Sequence, residues 1–170
     1  MAVIRHLLDL LYRLSTIAAA LCMIAILSLI VAQMLARWTG EVFPGAPDYA
    51  GYAMASASFL AFAGALNSGT HIRVSLLINA LGPTGQRWLN IWCFGIATAV
   101  GWYVVYYIWR MLGFAIKFND VSQGQDATPM WIAQSPMFFG AVVLAIALTD
   151  NLVSLLVNGN HRIVREASAE

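Results

Sequence analysis

Asp150 is the one acid set inside a long apolar run of this chain, and Asn151 follows it. An ionisable side chain at membrane depth is the kind of group that couples proton or sodium movement to transport. One shallow carboxylate offers few oxygens for a sodium ion, and coupled sites are usually built from interrupted helices near the bilayer midplane. Two readings of Asp150 therefore stand. It is a structural carboxylate held by an arginine or by interfacial water, or it is a coupling group. His6, His71 and His161 all lie outside the interiors of the apolar runs, so the axial ligands of a membrane haem are missing. Cys22 and Cys93 make no CxxC pair and no metal spacing. No HExxH, GxSxG or P-loop element and no paired catalytic carboxylates occur. The sequence thus predicts no enzyme, no metal site and no cofactor.

The elements that hold these residues follow from composition. The chain has 170 residues, of which 61% are hydrophobic and 10% charged. A soluble domain carries about 25% charged residues. Apolar stretches at about 14–36, 49–67, 88–109 and 137–157 are each long enough to cross a hydrocarbon core about 30 Å thick. Helix is the expected state, because a single span in lipid must satisfy its own backbone. The first run is longer than a signal-peptide core and lacks a small-x-small cleavage site, so it is expected to stay as a transmembrane helix. Pro44 and Pro47 punctuate the first loop, Pro83 precedes the third span, and Pro129 and Pro136 precede the fourth. No linker divides residues 1–170, and a single four-helix membrane domain is expected. The net charge of +1 gives no reason to expect nucleic acid as a partner.

Charge sets the orientation. With the N-terminus inside, the cytoplasmic side holds Arg5, Arg13, Arg73, Arg87, Arg162 and Arg165, and the outer side holds Arg37, Arg110 and Lys117. The excess of positive residues inside predicts that both termini are cytoplasmic. Trp88 and Trp92 at one end of the third span, and Trp102, Tyr103, Tyr106, Tyr107 and Trp109 at the other, suit the headgroup levels. The segment from Thr70 to Leu81 is too short to span. As a helix it has a narrow polar stripe of His71, Ser75 and Asn79, with Arg73 turned away from it. A short interfacial amphipathic helix is expected there, with Arg73 either snorkelling to headgroups or meeting an anion.

Span two differs from the others. Ala53, Ala57, Ala61 and Ala65 recur every fourth residue, a ridge that admits close approach of another helix. Its use is either packing inside the chain or contact with a partner subunit. Asp48 follows Pro47 at the start of that span, where a carboxylate caps backbone N–H groups and complements the helix dipole. Gln33 is expected to bond between helices.

These features together resemble the small membrane subunit, the DctQ-like component, of tripartite ATP-independent periplasmic (TRAP) transporters. An acid, Asp48, opens a span rich in small residues. The element Gly69-Thr70-His71-Ile72-Arg73-Val74 follows, ahead of Leu76-Leu77. The third loop runs Asp120-Val121-Ser122-Gln123-Gly124, then Thr128-Pro129-Met130-Trp131-Ile132, and Gly140 opens the last helix. Many members carry an acid after the Arg-Val pair, where this chain has Ser75, and a base where it has Gly51. The resemblance implies a multi-pass protein of the bacterial inner membrane. It implies two partners beyond the lipid bilayer: a large membrane subunit that carries the transport path, and a periplasmic binding protein that captures an organic anion such as a carboxylate. The small subunit would be a non-catalytic scaffold in a transporter driven by an ion gradient. On that view Glu41, Asp120 and Asp126 could dock the binding protein through charge. The competing classes are a membrane anchor for a redox enzyme and a self-sufficient small homo-oligomeric transporter. The transported substrate is not written in this chain.

Overall fold

A computed structural model describes residues 2–41, 44–67, 83–124 and 126–158. It holds α1 (Ala2–Thr39), α2 (Ala46–Asn67), α3 (Pro83–Lys117) and α4 (Met130–Asn158). All are long and apolar enough to cross a membrane. The expected interfacial helix over 70–81, with His71 and Arg73, lies outside the described residues.

Three of the four helices run well past the expected spans, for identifiable reasons. α1, at 38 residues, is about 57 Å long at 1.5 Å per residue, and α3 is nearly as long. α1 stops where Gly40 turns left-handed (φ 82°) and the Glu41 N–H reaches back to the Ala36 carbonyl at 2.9 Å. α3 stops the same way at Asn119 (φ 46°), with the Asp120 N–H on the Ala115 carbonyl at 2.9 Å. Both ends have the left-handed closure that releases a helix into a loop. Arg110 therefore does not end α3; it sits within it. The fourth helix begins at Met130, ahead of Pro136, which lies inside it. Proline there cannot donate to the Ile132 carbonyl. The Ser135 hydroxyl donates to that oxygen instead, at 3.0 Å, so the turn survives in a setting where an orphan carbonyl is costly.

The helices form an open row in the order α1, α2, α4, α3. α1 packs along α2, α2 along α4 and α4 along α3, with a slight touch of α1 on α4. The backbone of α3 stays away from α1 and α2, although Phe94 and Ala97 of α3 pack on the cluster that holds Tyr12, Ala63 and Leu66. Burial follows the order. Of the most apolar stretch of α4, 44% is buried, against 11% for α1. A core cluster at one end joins Tyr12, Ala63, Leu66, Val143, Ala147 and Leu148. A second joins Val105, Ile108, Ala141 and Ala145 between α3 and α4.

Small residues set the spacing in this row. A side chain at Gly140 would stand 2.6–2.8 Å from the backbone of Phe59 and Leu60, so α2 and α4 touch backbone to backbone. Gly140 was expected to open the last helix; it lies in its interior, at a close approach of α2 to α4. Gly64 faces the Thr16 hydroxyl of α1, and Gly101 faces Leu148 Cδ1 at 3.2 Å and Ala145 on α4. Replacing Gly140 by leucine should push α2 and α4 apart and cost about 3 kcal/mol, at the upper end for overpacking. The check is the melting temperature of the purified chain in mild detergent. A Gly140→Leu chain that melts with the parent would remove this contact from the account.

Candidate interface surfaces

An open row buries only what faces its neighbours, so the candidate functional surfaces are the faces left over. α2 shows how they arise. Its carbonyl at Leu60 accepts the Ser15 hydroxyl of α1 at 2.6 Å, and its backbone at Phe59 meets Gly140. At 100° per residue these contacts occupy two sides of the helix. Met54, Ser58 and Phe62 remain exposed, and they share one face with Gly51 and Ala65 by the same geometry. The Ser58 hydroxyl is satisfied by the Met54 carbonyl of its own helix at 2.9 Å.

The ridge of Ala53, Ala57, Ala61 and Ala65 winds between these sides, because each four-residue step advances about 40°. Ala57 is buried inside the chain, while Ala53, Ala61 and Ala65 are half-buried. Ala57 lies a heptad from Gly64, on the side turned to α1, and Ala65 lies near the open face. α1 and α3, at the two ends of the row, expose still more. Leu10, Leu14, Ile17, Leu21 and Ile24 are all at least half exposed along α1. Their spacing of four, three, four and three is that of a coiled-coil seam.

The loops at one end of the row are fastened to each other. Val121 bridges Pro129, and the Ser122 N–H donates to the Thr128 carbonyl at 2.8 Å. Tyr52 of α2 shares a hydrogen bond of 2.5 Å with Ser122, and the Thr128 hydroxyl donates to Tyr49 at 3.3 Å. Asp48 sits in the first turn of α2, where its charge complements the helix dipole, but its carboxylate makes none of the expected capping hydrogen bonds among the described residues. Its carboxylate lies against Gly124, and that of Asp126 lies against Gly45, where φ is +75°. A side chain on either glycine would collide with a carboxylate. Glu41, Asp120 and Asp126 are all exposed at this end, so the structure brings the three acids to one rim.

At the opposite end Asp150 is half-buried and has an interaction partner. Asn151 beside it is completely buried and donates to the Ala147 carbonyl at 2.9 Å. Asp9, half-buried on α1, also has a partner and belongs to the same end. Sequence reasoning passed over it because it precedes the apolar run. Gln33, expected to bond between helices, is half-buried and makes no hydrogen bond among the described residues. Sequence reasoning also missed Gln134. It is only 7% exposed, and its Oε1 has no hydrogen-bond partner among the described residues. Its signal was a glutamine amid apolar neighbours, hidden by placing 130–136 ahead of the last helix. Among the described residues, no group of three or more His, Cys, Asp or Glu side chains is placed to hold a metal.

Comparison with known proteins adds one match. The family model described as "Tripartite ATP-independent periplasmic transporters, DctQ component" covers residues 26–158. That range takes in the last part of α1 and all of α2, α3 and α4. No curated protein matches the chain.

Proposed function

This chain belongs to the DctQ component of tripartite ATP-independent periplasmic transporters, and on that footing we propose that it is the scaffold of its transporter. A DctQ component is a small membrane subunit of a transporter, not an enzyme, and it works with a large membrane subunit and a periplasmic binding protein. The proposed role is to widen the fixed part of the membrane assembly, against which the mobile part of the large subunit moves. The transporter itself is taken to be driven by an ion gradient and to carry organic anions such as carboxylates, across the inner membrane of a bacterium.

The open row α1, α2, α4, α3 is the observation that carries this reading. Four helices closed into a bundle would hide their small residues inside. A row exposes a broad apolar face on each side and gives a partner something to lie against. The face of α2 with Gly51, Met54, Ser58, Phe62 and Ala65 is the proposed seat of the large subunit, together with the unburied part of the alanine ridge. Lipid provides no hydrophobic drive for helix association, so shape and close approach must do so. Both termini are proposed to be cytoplasmic, as the arginine distribution favours. Glu41, Asp120 and Asp126 then face the periplasm, where their charge would mainly raise the rate at which the binding protein docks.

Asp150 is proposed to be a strut. Arg73 is its candidate cation; Arg87, the alternative, forms no ion pair among the described residues. The oxygens a sodium ion needs would have to come from other groups. Asp150→Asn should lower the yield of assembled complex. It should leave the sodium affinity and Hill coefficient of transport, per assembled complex, as they were. A shifted sodium dependence with assembly intact would make Asp150 a coupling group.

The partner face is tested by Ser58→Leu. Overpacking at a close helix contact costs about 1–3 kcal/mol. The large subunit recovered with the tagged chain should fall about tenfold, as 1.4 kcal/mol implies. The melting temperature of the chain alone should hold, because Ser58 bonds only its own helix. Undiminished recovery of the large subunit would place the contact on another face.

A further inference from the structure

A groove of about 390 Å³ runs between the end of α3 and the start of α4, lined among others by Tyr107, Arg110, Phe114, Phe118, Asp120 and Gln134. It combines features that the scaffold role does not use. Arg110 stands over the ring of Phe114 at 5.6 Å. Phe114 and Phe118 stack with ring centres 6.2 Å apart. Arg110 and Asp120 line the same groove, yet neither forms an ion pair among the described residues. Gln134 turns up in the wall as an almost wholly buried amide whose Oε1 has no hydrogen-bond partner there. An unmet buried acceptor is costly, and a cation and an anion left apart in one groove are matched by a ligand that carries both charges.

We propose that this groove binds the headgroup of a phospholipid bearing a primary amine, a phosphatidylethanolamine, in the leaflet around the α3–α4 loop. The phosphate lies on the Arg110 guanidinium, a planar donor suited to it. The ammonium has three N–H donors; the Asp120 carboxylate and Gln134 Oε1 accept from it. The depth fits as well. Tyr103, Tyr106, Tyr107 and Trp109 are exposed just ahead of Arg110, and such rings mark the headgroup level. Acyl chains then run down the exposed aromatic face of α3. A wholly anionic headgroup would meet Asp120 as a like charge, and a quaternary amine would have no N–H for Gln134.

Native mass spectrometry of the full chain reads this out. The chain is delipidated in detergent and offered equal amounts of phosphatidylethanolamine, phosphatidylglycerol and phosphatidylcholine with identical acyl chains. Phosphatidylethanolamine should be retained about tenfold over either competitor, the ratio expected when one charge-assisted hydrogen bond is lost. Arg110→Gln and Asp120→Asn should each abolish that preference. Arg110→Lys, which keeps the charge, should keep part of it. Both positions are exposed, and unchanged melting temperatures confirm that the variants fold. Glycerophosphoethanolamine, which lacks the chains, should not displace the lipid. Equal retention of the three lipids would overturn the proposal, and so would an undiminished preference in both variants. Displacement by the chainless headgroup would make this a site for a soluble zwitterion and defeat the lipid reading. Variants that lose the large subunit while keeping the lipid preference would assign the groove to protein. Asp120 is also among the proposed docking acids, but lipid retention by the isolated chain does not depend on a binding protein.

Discussion

The contact of Gly140 with the backbone of Phe59 and Leu60 joins the two halves of this protein. α1 and α2 form one antiparallel pair, α3 and α4 the other, and beyond a slight touch of α1 on α4 the backbones of the two pairs approach each other only where α2 packs on α4. In lipid, apolar side chains gain nothing by leaving one oily surface for another. Association rests on dispersion, on hydrogen bonds and on how closely backbones can approach. A missing Cβ at Gly140 therefore does for this fold what a large core does for a soluble one. Gly64 and Gly101 repeat the device within each pair.

Polar groups obey the same solvent. The hydroxyls of Thr16, Ser28, Ser56, Ser58, Thr98 and Thr149 each return to the carbonyl four residues back, because lipid offers no water. Ser15 is different. It spends its hydroxyl on Leu60 of α2 and so ties the first pair together. Trp102 reaches Thr149 across the second at 3.2 Å. These bonds hold neighbours in the row, leaving its two faces apolar and open. That division of labour suits the proposed scaffold role.

Much of this was legible in the sequence. The four helices are there because each apolar run is long enough for the bilayer, and the order of Asp48, the small-residue span and the Asp120–Ile132 loop pointed to the family. The ends were misjudged where local chemistry overrode hydropathy. Pro136 reads as a helix breaker until Ser135 is seen to occupy the carbonyl it leaves. Arg110 lies just past the expected span, yet the helix itself runs on to a stop signal at Asn119. The row itself was not legible, since every apolar helix face looks alike in sequence. Nor was the groove, whose Arg110, Asp120 and Gln134 come from a helix, a loop and another helix. The element Gly69–Val74 carried part of the family resemblance, but it lies outside the described residues and gains no structural account.

Disulfide cross-linking tests the open row most directly. With Cys22 and Cys93 changed to serine, paired cysteines would be placed in the full chain in membranes. A Cβ at Gly64 lies 3.6 Å from that of Thr16, and one at Gly101 lies 3.8 Å from that of Ala145. Both fall in the range that a disulfide spans. The row predicts that Thr16→Cys with Gly64→Cys, and Gly101→Cys with Ala145→Cys, each form a bond under mild oxidation. Ile24→Cys on α1 with Tyr103→Cys on α3 should form none within one chain. A ready intramolecular bond between those last two positions would close the helices into a bundle, and the open faces on which the proposed scaffold role rests would be gone.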